Sequence, residues 1–272
     1  MSSPTPFPPQ HRRSTRRTAF ATLVVSWLLV LLLAGCGQDS SRSSDGRTER
    51  PTERPAVETV LDPTTTVPAP APGALVVRSD HDVTIFTNPV PSAATRSLPA
   101  RNSFGSPLAL LVTTVGEGDR TGWLQVLLPG RPNGATGWVQ SDQVELRRVL
   151  QEVRVDLAAR TLQVLVDDAV ILTTPVSVGE PGTPTPPGRF SLTDKLDTGD
   201  VDGPYGPFAL GLSARSDSLT EFAGGDAQVG IHGTNDPSSI GRAASHGCIR
   251  VPNDVARQLS DLLPLGTPVI VA

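Results

Sequence analysis

The chain has 272 residues, 38% of them hydrophobic, enough to bury one large core or two small ones. Its 23 basic and 27 acidic residues give a net charge of −4. Taking away residues 1–35, which hold four arginines and no acid, leaves 19 basic against 27 acidic residues, a net charge of −8 with no basic stripe, which argues against a nucleic-acid partner.

Arg12, Arg13, Arg16 and Arg17 precede an almost unbroken apolar run over residues 19–34, the pattern of an export signal. At its end, Leu33-Ala34-Gly35-Cys36 resembles the lipobox of bacterial lipoproteins. That resemblance implies cleavage after residue 35 and lipidation of Cys36, with the acyl chains holding the protein in the lipid bilayer on the outer face of the cell membrane, toward the wall. A plain signal peptide and a short membrane anchor are the alternatives, and Arg16-Arg17 followed by Phe20 leaves the export route open between the Sec and twin-arginine systems. Residues 36–73 are rich in Ser, Thr, Pro, Asp and Arg and have no aromatic residue, so they read as a disordered tether. As a coil it would span roughly 30 Å.

Residues 74–148 read as short strands separated by turns: ALVV, VTIF, LALLVTTV, WLQVLL, TGWVQ and VEL. Turns are expected at GEGD and at Pro132-Asn133-Gly134, where Asn-Gly suits a tight hairpin with positive φ. Thr121-Gly122-Trp123-Leu124-Gln125 and Thr136-Gly137-Trp138-Val139-Gln140 are near-copies on successive strands. Such Gly-Trp pairs resemble the last strands of bacterial Src-homology-3-like barrels. The two tryptophans are then either core residues or the floor of a shallow aromatic groove.

Residues 149–272 are again strand-rich, with VRVDL and TLQVLV alternating at period two and GRFSLTD, PFALGL and VGIHGT following. One helix is expected from Asn253-Asp254 after Pro252, where Asn can cap and Val255, Leu259, Leu262 and Leu263 form the apolar face. The final strand is PVIVA.

Acylation of Cys36 would leave Cys248 as an unpaired thiol in an oxidising compartment, either buried and inert or kept for its reactivity. A cysteine nucleophile needs a base within hydrogen-bond reach and donors for the oxyanion. His246 precedes Cys248 by two residues, and His232 lies sixteen residues earlier at the end of another apolar strand. Both sit beside glycine.

His232-Gly233 followed by Ser245-His246-Gly247-Cys248 resembles the motif of the YkuD-type L,D-transpeptidases, and Thr185-Pro186-Pro187-Gly188-Arg189-Phe190 and Tyr205-Gly206 are similar to further family segments. The resemblance implies a mostly β chain: a small Src-homology-3-like barrel followed by a β-sandwich-like catalytic domain with few helices. It implies Cys248 as nucleophile, His232 as base, the Gly233 carbonyl as the group that holds the imidazole tautomer, and the Gly247 and Cys248 amides as oxyanion donors. Ser245, His246, Arg250 and Tyr205 would contact or frame the substrate. Arg250 stands where many members have Asn, and it either holds a stem-peptide carboxylate or only packs. The implied reaction is acyl transfer between peptidoglycan stem peptides, with no cofactor and with carbapenems as covalent inhibitors.

Water or a protein amine as acceptor would instead give an L,D-carboxypeptidase or a protein-attachment enzyme. A zinc site from His232, His246 and Cys248 lacks a fourth ligand and the usual spacings. A papain-like peptidase would normally place its histidine after the cysteine, and none follows Cys248. A non-catalytic wall-binding lipoprotein is the alternative from another class.

Overall fold

The computed structural model describes residues 73–272. The expected signal, lipidated Cys36 and nearly all of the tether lie outside the described residues.

The first half folds into seven strands: β1 (Ala74–Arg78), β2 (Val83–Phe86), β3 (Thr95–Leu98), β4 (Ala109–Val115), β5 (Trp123–Leu127), β6 (Thr136–Gln140) and β7 (Glu145–Val149). They form one antiparallel sheet in the order β3-β2-β6-β5-β4-β1-β7. Val77, Ile85, Leu110, Leu124, Val126 and Val139 lie in its core. Trp123 and Trp138 are 8% and 7% exposed, and the Trp123 ring meets Phe86 edge to face at 5.0 Å. This settles the earlier alternative in favour of core tryptophans.

The expected turn at Pro132-Asn133-Gly134 is present, closed by Ala135 N–H to Pro132 O (3.1 Å), but it is not a two-residue hairpin joining β5 to β6. The connection is a wider loop closed by Leu128 N–H to Ala135 O (2.8 Å), in which Gly134 but not Asn133 takes positive φ. Asn133 is drawn out of that geometry by partners in the other half of the molecule.

The second half contains β8 (Gln151–Asp156), β9 (Thr161–Val166), β10 (Ala169–Pro175), β11 (Val178–Gly179), β12 (Gly188–Asp197), β13 (Phe208–Arg215), β14 (Gln228–His232), β15 (Ala243–Ser245), β16 (Ile249–Arg250), α1 (Asn253–Leu262) and β17 (Pro268–Val271). Its main sheet runs β10-β9-β8-β17-β12-β13-β14-β16, and β11 pairs with β15. The long strand β12 belongs to both halves of that sheet: residues 188–191 pair with β17, and after an irregularity Asp194–Asp197 pair with β13. The sheet therefore turns on itself around Val153, Leu162, Leu192, Leu212, Ile231 and Leu259. Helix α1 covers β13 and β14 with Ala256 and Leu259, its apolar stripe.

Only Leu150 separates β7 from β8. Leu265 packs against Val76, Ala109 and Val149 of the first half as well as against the second core. A Cβ on Gly266 would meet Val76 Cγ1 at 2.3 Å, so the two halves approach as closely as backbone allows there.

Candidate active site

Cys248 and His232 come together because β14 and β16 are parallel neighbours at the end of the main sheet. The register pairs Ile231 with Ile249 and His232 with Arg250. In this register Cys248 stands two residues before Arg250, and the two-residue side-chain period brings it to the His232 side of the sheet. Both residues line one narrow cleft with Tyr205, Leu196, Ala209 and Phe222. The larger hollow of about 980 Å³ at Arg78, Glu145 and Arg148 lies away from the thiol and includes none of these side chains.

His232 is 5% exposed, and its Nδ1 lies 2.6 Å from the Gly233 carbonyl. A carbonyl only accepts, so Nδ1 carries the hydrogen and Nε2 is left as the basic nitrogen. Burial lowers the imidazole pKa to about 4; the Gly233 bond opposes that shift and the Arg250 charge adds to it. Burial likewise raises the Cys248 thiol, against smaller stabilising effects of the Gly230 main chain and Arg250. At neutral pH the resting pair is thus a neutral thiol beside a neutral imidazole. The Tyr205 ring lies edge-on to His232 at 4.9 Å, and burial pushes its phenol up to about 12, with Cys248 adding to the shift and Arg250 opposing it. The positive charge of Arg250 therefore acts on all three groups.

The loop that presents the thiol is bonded to itself. Ser245 Oγ donates to the Cys248 carbonyl (2.5 Å) and accepts from Gly247 N–H (3.2 Å). The Gly247 amide, expected as an oxyanion donor, is thereby already turned toward Ser245. Gly247 has φ +113, outside what a side-chain-bearing residue readily adopts. From the other side, the Ser245 carbonyl accepts from Glu180 N–H (2.9 Å) and Thr183 Oγ1 (3.3 Å), while Thr185 Oγ1 accepts from Gly179 N–H (2.9 Å). The Thr185-Pro186-Pro187 turn thus leads out of the segment that braces the cysteine loop. His246 is exposed and stacks on Phe222 of the cleft wall, with centroids 5.3 Å apart.

Three supporting residues carry no sequence signal that would single them out. Asn253, expected as a helix cap, makes no cap bond; its Oδ1 accepts from Thr234 N–H (2.7 Å) and its Nδ2 donates to Val201 O (3.2 Å). It holds the strand end carrying His232-Gly233, and a Cβ on Gly206 or Gly233 would lie 2.3 Å from its Oδ1. Asp194 is 1% exposed and accepts from Thr193 Oγ1 (2.7 Å), Gln228 Nε2 (3.0 Å) and, across the two halves, Asn102 Nδ2. Gln228 in turn places its main-chain carbonyl 4.0 Å from Cys248 Sγ. A hydrogen-bonded chain from the first half of the molecule therefore ends beside the thiol.

The family model for the L,D-transpeptidase catalytic domain matches residues 151–271. The putative L,D-transpeptidase YkuD of Bacillus subtilis (strain 168) is 32% identical over 146 residues, covering 54% of this chain and 73% of the relative. Its Bacillus licheniformis counterpart is 37% identical over 119 residues, 44% of this chain, and the chain spans 64% of that relative's length. A solved LD transpeptidase in complex with imipenem is 19% identical with a TM-score of 0.41, covering 75% of this chain and 100% of that one. With a catalytic-domain match that contains the whole β14–β16 site and a relative covered over more than two thirds of its length, the chain belongs to the L,D-transpeptidase family.

Proposed function

We propose that the protein is a cysteine-dependent L,D-transpeptidase that forms 3→3 cross-links between peptidoglycan stem peptides. The observation that carries this reading is the tautomer of His232: with Nδ1–H given to Gly233 O, the basic Nε2 is available to Cys248 in the same cleft. Because the resting pair is neutral, the thiol proton moves to His232 as the sulfur attacks the carbonyl at the L-centre of diaminopimelate in a tetrapeptide stem. The C–N bond to D-alanine breaks, the leaving amine takes that proton, and a thioester remains on Cys248. The side-chain amine of a second stem then attacks the thioester; an amide forms, the C–S bond breaks, and His232 returns the amine's proton to the sulfur. With the Gly247 amide turned to Ser245, the Cys248 amide is the main-chain donor for the oxyanion.

Arg250 is positioned by its strand pairing to act electrostatically on the site, which supports a role toward a stem-peptide carboxylate. The lipobox-like Cys36 and the following tether support an enzyme anchored to the outer membrane face and reaching toward the wall. The Gly-Trp pairs of the N-terminal domain support its kinship with Src-homology-3-like domains.

Intact-mass analysis of the purified full chain with a carbapenem tests the chemistry: wild type gains one adduct and Cys248→Ala gains none. An unmodified wild-type chain would sink the cysteine mechanism. Incubation with disaccharide-tetrapeptide then separates acceptors by product. A 3→3 dimer supports the proposal, a tripeptide points to water as acceptor and an L,D-carboxypeptidase, and absence of both products leaves a wall-binding lipoprotein.

A further inference from the structure

We propose that Arg131 and Asn133, in the N-terminal domain, are positioning residues of the catalytic site: they clamp both ends of the loop 216–227 that walls the cleft over Cys248. The proposal rests on the transpeptidase reading for its substrate, a peptidoglycan stem peptide, but the clamp itself is a matter of geometry.

The loop joins β13 to β14 and contributes Phe222, Ala223, Gly225 and Asp226 to the cleft. Its tip is locally bonded. Phe222 and Gly225 exchange both main-chain hydrogen bonds (3.0 Å each) around Ala223-Gly224, whose φ values of +50 and +80 make a two-residue hairpin of the primed type. Phe222 is thereby held against His246.

The ends of the loop are joined by one main-chain bond, Ser216 N–H to Ala227 O (2.9 Å), and by the Arg215–Asp226 ion pair (2.5 Å). These leave the carbonyls of Ser216, Leu219 and Asp226 to be satisfied elsewhere, and main-chain carbonyls without partners are costly wherever water is excluded. Their partners come from the β5–β6 loop. Arg131 donates from Nη1 to the Asp226 carbonyl (2.9 Å) and from Nη2 to the carbonyls of Ser216 (3.0 Å) and Leu219 (2.6 Å). One guanidinium thus spans the beginning and the end of the loop, a task suited to its fixed fork of donors. Asn133 pairs with the main chain of Arg215 as a neighbouring strand would: Oδ1 accepts from Arg215 N–H (2.8 Å) and Nδ2 donates to Arg215 O (2.7 Å). The same Nδ2 reaches Asp217 Oδ1 at 3.0 Å. Beside it, Gly130 N–H donates to Ser213 O (3.1 Å). These contacts join residues 82 to 95 positions apart, so they are a property of the two domains together.

The cleft at Cys248 is narrow, about 70 Å³, and partly open to solvent. A stem peptide that reaches the thiol presses on its wall. With the ends of the loop clamped, the hairpin tip carrying Phe222 is the part free to yield, and it closes on the bound peptide. Without the clamp the loop keeps its base through Ser216–Ala227 and Arg215–Asp226 but moves more, which opens the thiol to small reagents and weakens the hold on the stem. A residue that merely stabilises the fold would not move these two properties in opposite directions.

The test uses the full chain, wild type against Arg131→Ala and Asn133→Ala singly and together. Arg131→Lys serves as the variant that keeps the charge but loses the fork, and Arg120→Ala, on the face of Trp138 in the same domain, as the control. The expected results for the double variant are roughly tenfold faster amide exchange across 216–227, severalfold faster alkylation of Cys248 by iodoacetamide read at the peptide level, and roughly tenfold higher KM for disaccharide-tetrapeptide with kcat within about twofold. Arg131→Lys should fall between, and Arg120→Ala should match wild type. Unchanged exchange across 216–227 in a double variant that melts like wild type would overturn the clamp. Faster exchange with unchanged alkylation and KM would overturn the positioning role. A wild-type chain that does not turn over tetrapeptide would defeat the transpeptidase reading alone, since exchange and alkylation still decide the clamp.

Discussion

In the N-terminal sheet the residues that stand out, Trp123 and Trp138, are buried, at 8% and 7% exposure. In the C-terminal sheet the distinctive residues lie at the last strand pair, where β16 bonds onward only through the Ser177–Arg250 bridge and Cys248 lines a cleft. Both sheets are antiparallel for most of their extent, yet only the second places two parallel strands at an edge, and that pairing brings a histidine into one cleft with a cysteine sixteen residues away. A repeated aromatic motif inside a sheet is thus a packing device, whereas a short motif at a sheet edge can present chemistry.

The sharpest way to break this contrast is Cys248→Ser. It should lower acyl transfer by about 10⁴-fold or more, an effect of ~5 kcal/mol on the barrier, while the thermal midpoint stays close to wild type. A large loss of stability would mean that the thiol belongs to the core as the tryptophans do. Next in size is Trp138→Ala, which should cost about 3–5 kcal/mol in denaturant unfolding. If the cost were below about 1 kcal/mol, the tryptophan would have to be reassigned from packing to binding.

The buried imidazole should also be visible in stability against pH. Its folded pKa of about 4 lies below the ordinary 6.5, so as pH falls the unfolded chain takes up the proton first. Stability is therefore full above about pH 6.5 and is lost progressively toward pH 4, by about 3 kcal/mol in total. His232→Gln should remove that part of the acid sensitivity, measured as the difference between the two unfolding curves over this range; parallel curves would place a normal histidine at this position. A smaller effect is expected from Gly206→Ala. Gly206 has φ +58, and a Cβ there would press on Asn253 Oδ1 and on main-chain atoms of Gly233 and Thr234. We expect a cost of about 2 kcal/mol, together with slower acylation, because the displaced Asn253 supports the His232 strand end. Gly134→Ala in the N-terminal domain, with positive φ but nothing within 4 Å of the new Cβ, should cost only about 1 kcal/mol and leave acylation unchanged.

Much of the site was legible in the residues themselves. Period-two runs marked strands such as β8 and β9, the mostly β class followed from them, and the paired His-Gly and Ser-His-Gly-Cys segments pointed to one locus because each is short and locally organised. The Asn residues are less legible, for a common reason: a carboxamide looks the same in sequence whether it bonds to its own turn or to a distant segment. Asn133 sits in the expected turn but gives its side chain to Arg215; Asn253 suggested a helix cap and instead holds Thr234.

What the sequence determined by itself was local: the strand periodicity, the helix at Asn253–Leu262, and Cys248 with the histidine-glycine pairs around it. Tertiary structure decided everything that joins positions far apart. It set the parallel register that brings His232 beside Cys248, the burial that keeps both neutral, the buried Asp194 reached by Asn102, and the grip of Arg131 on the loop 216–227. Hydrogen-bond partners and desolvation depend on which surfaces meet, and that is fixed only when two sheets close against each other with a single residue between them.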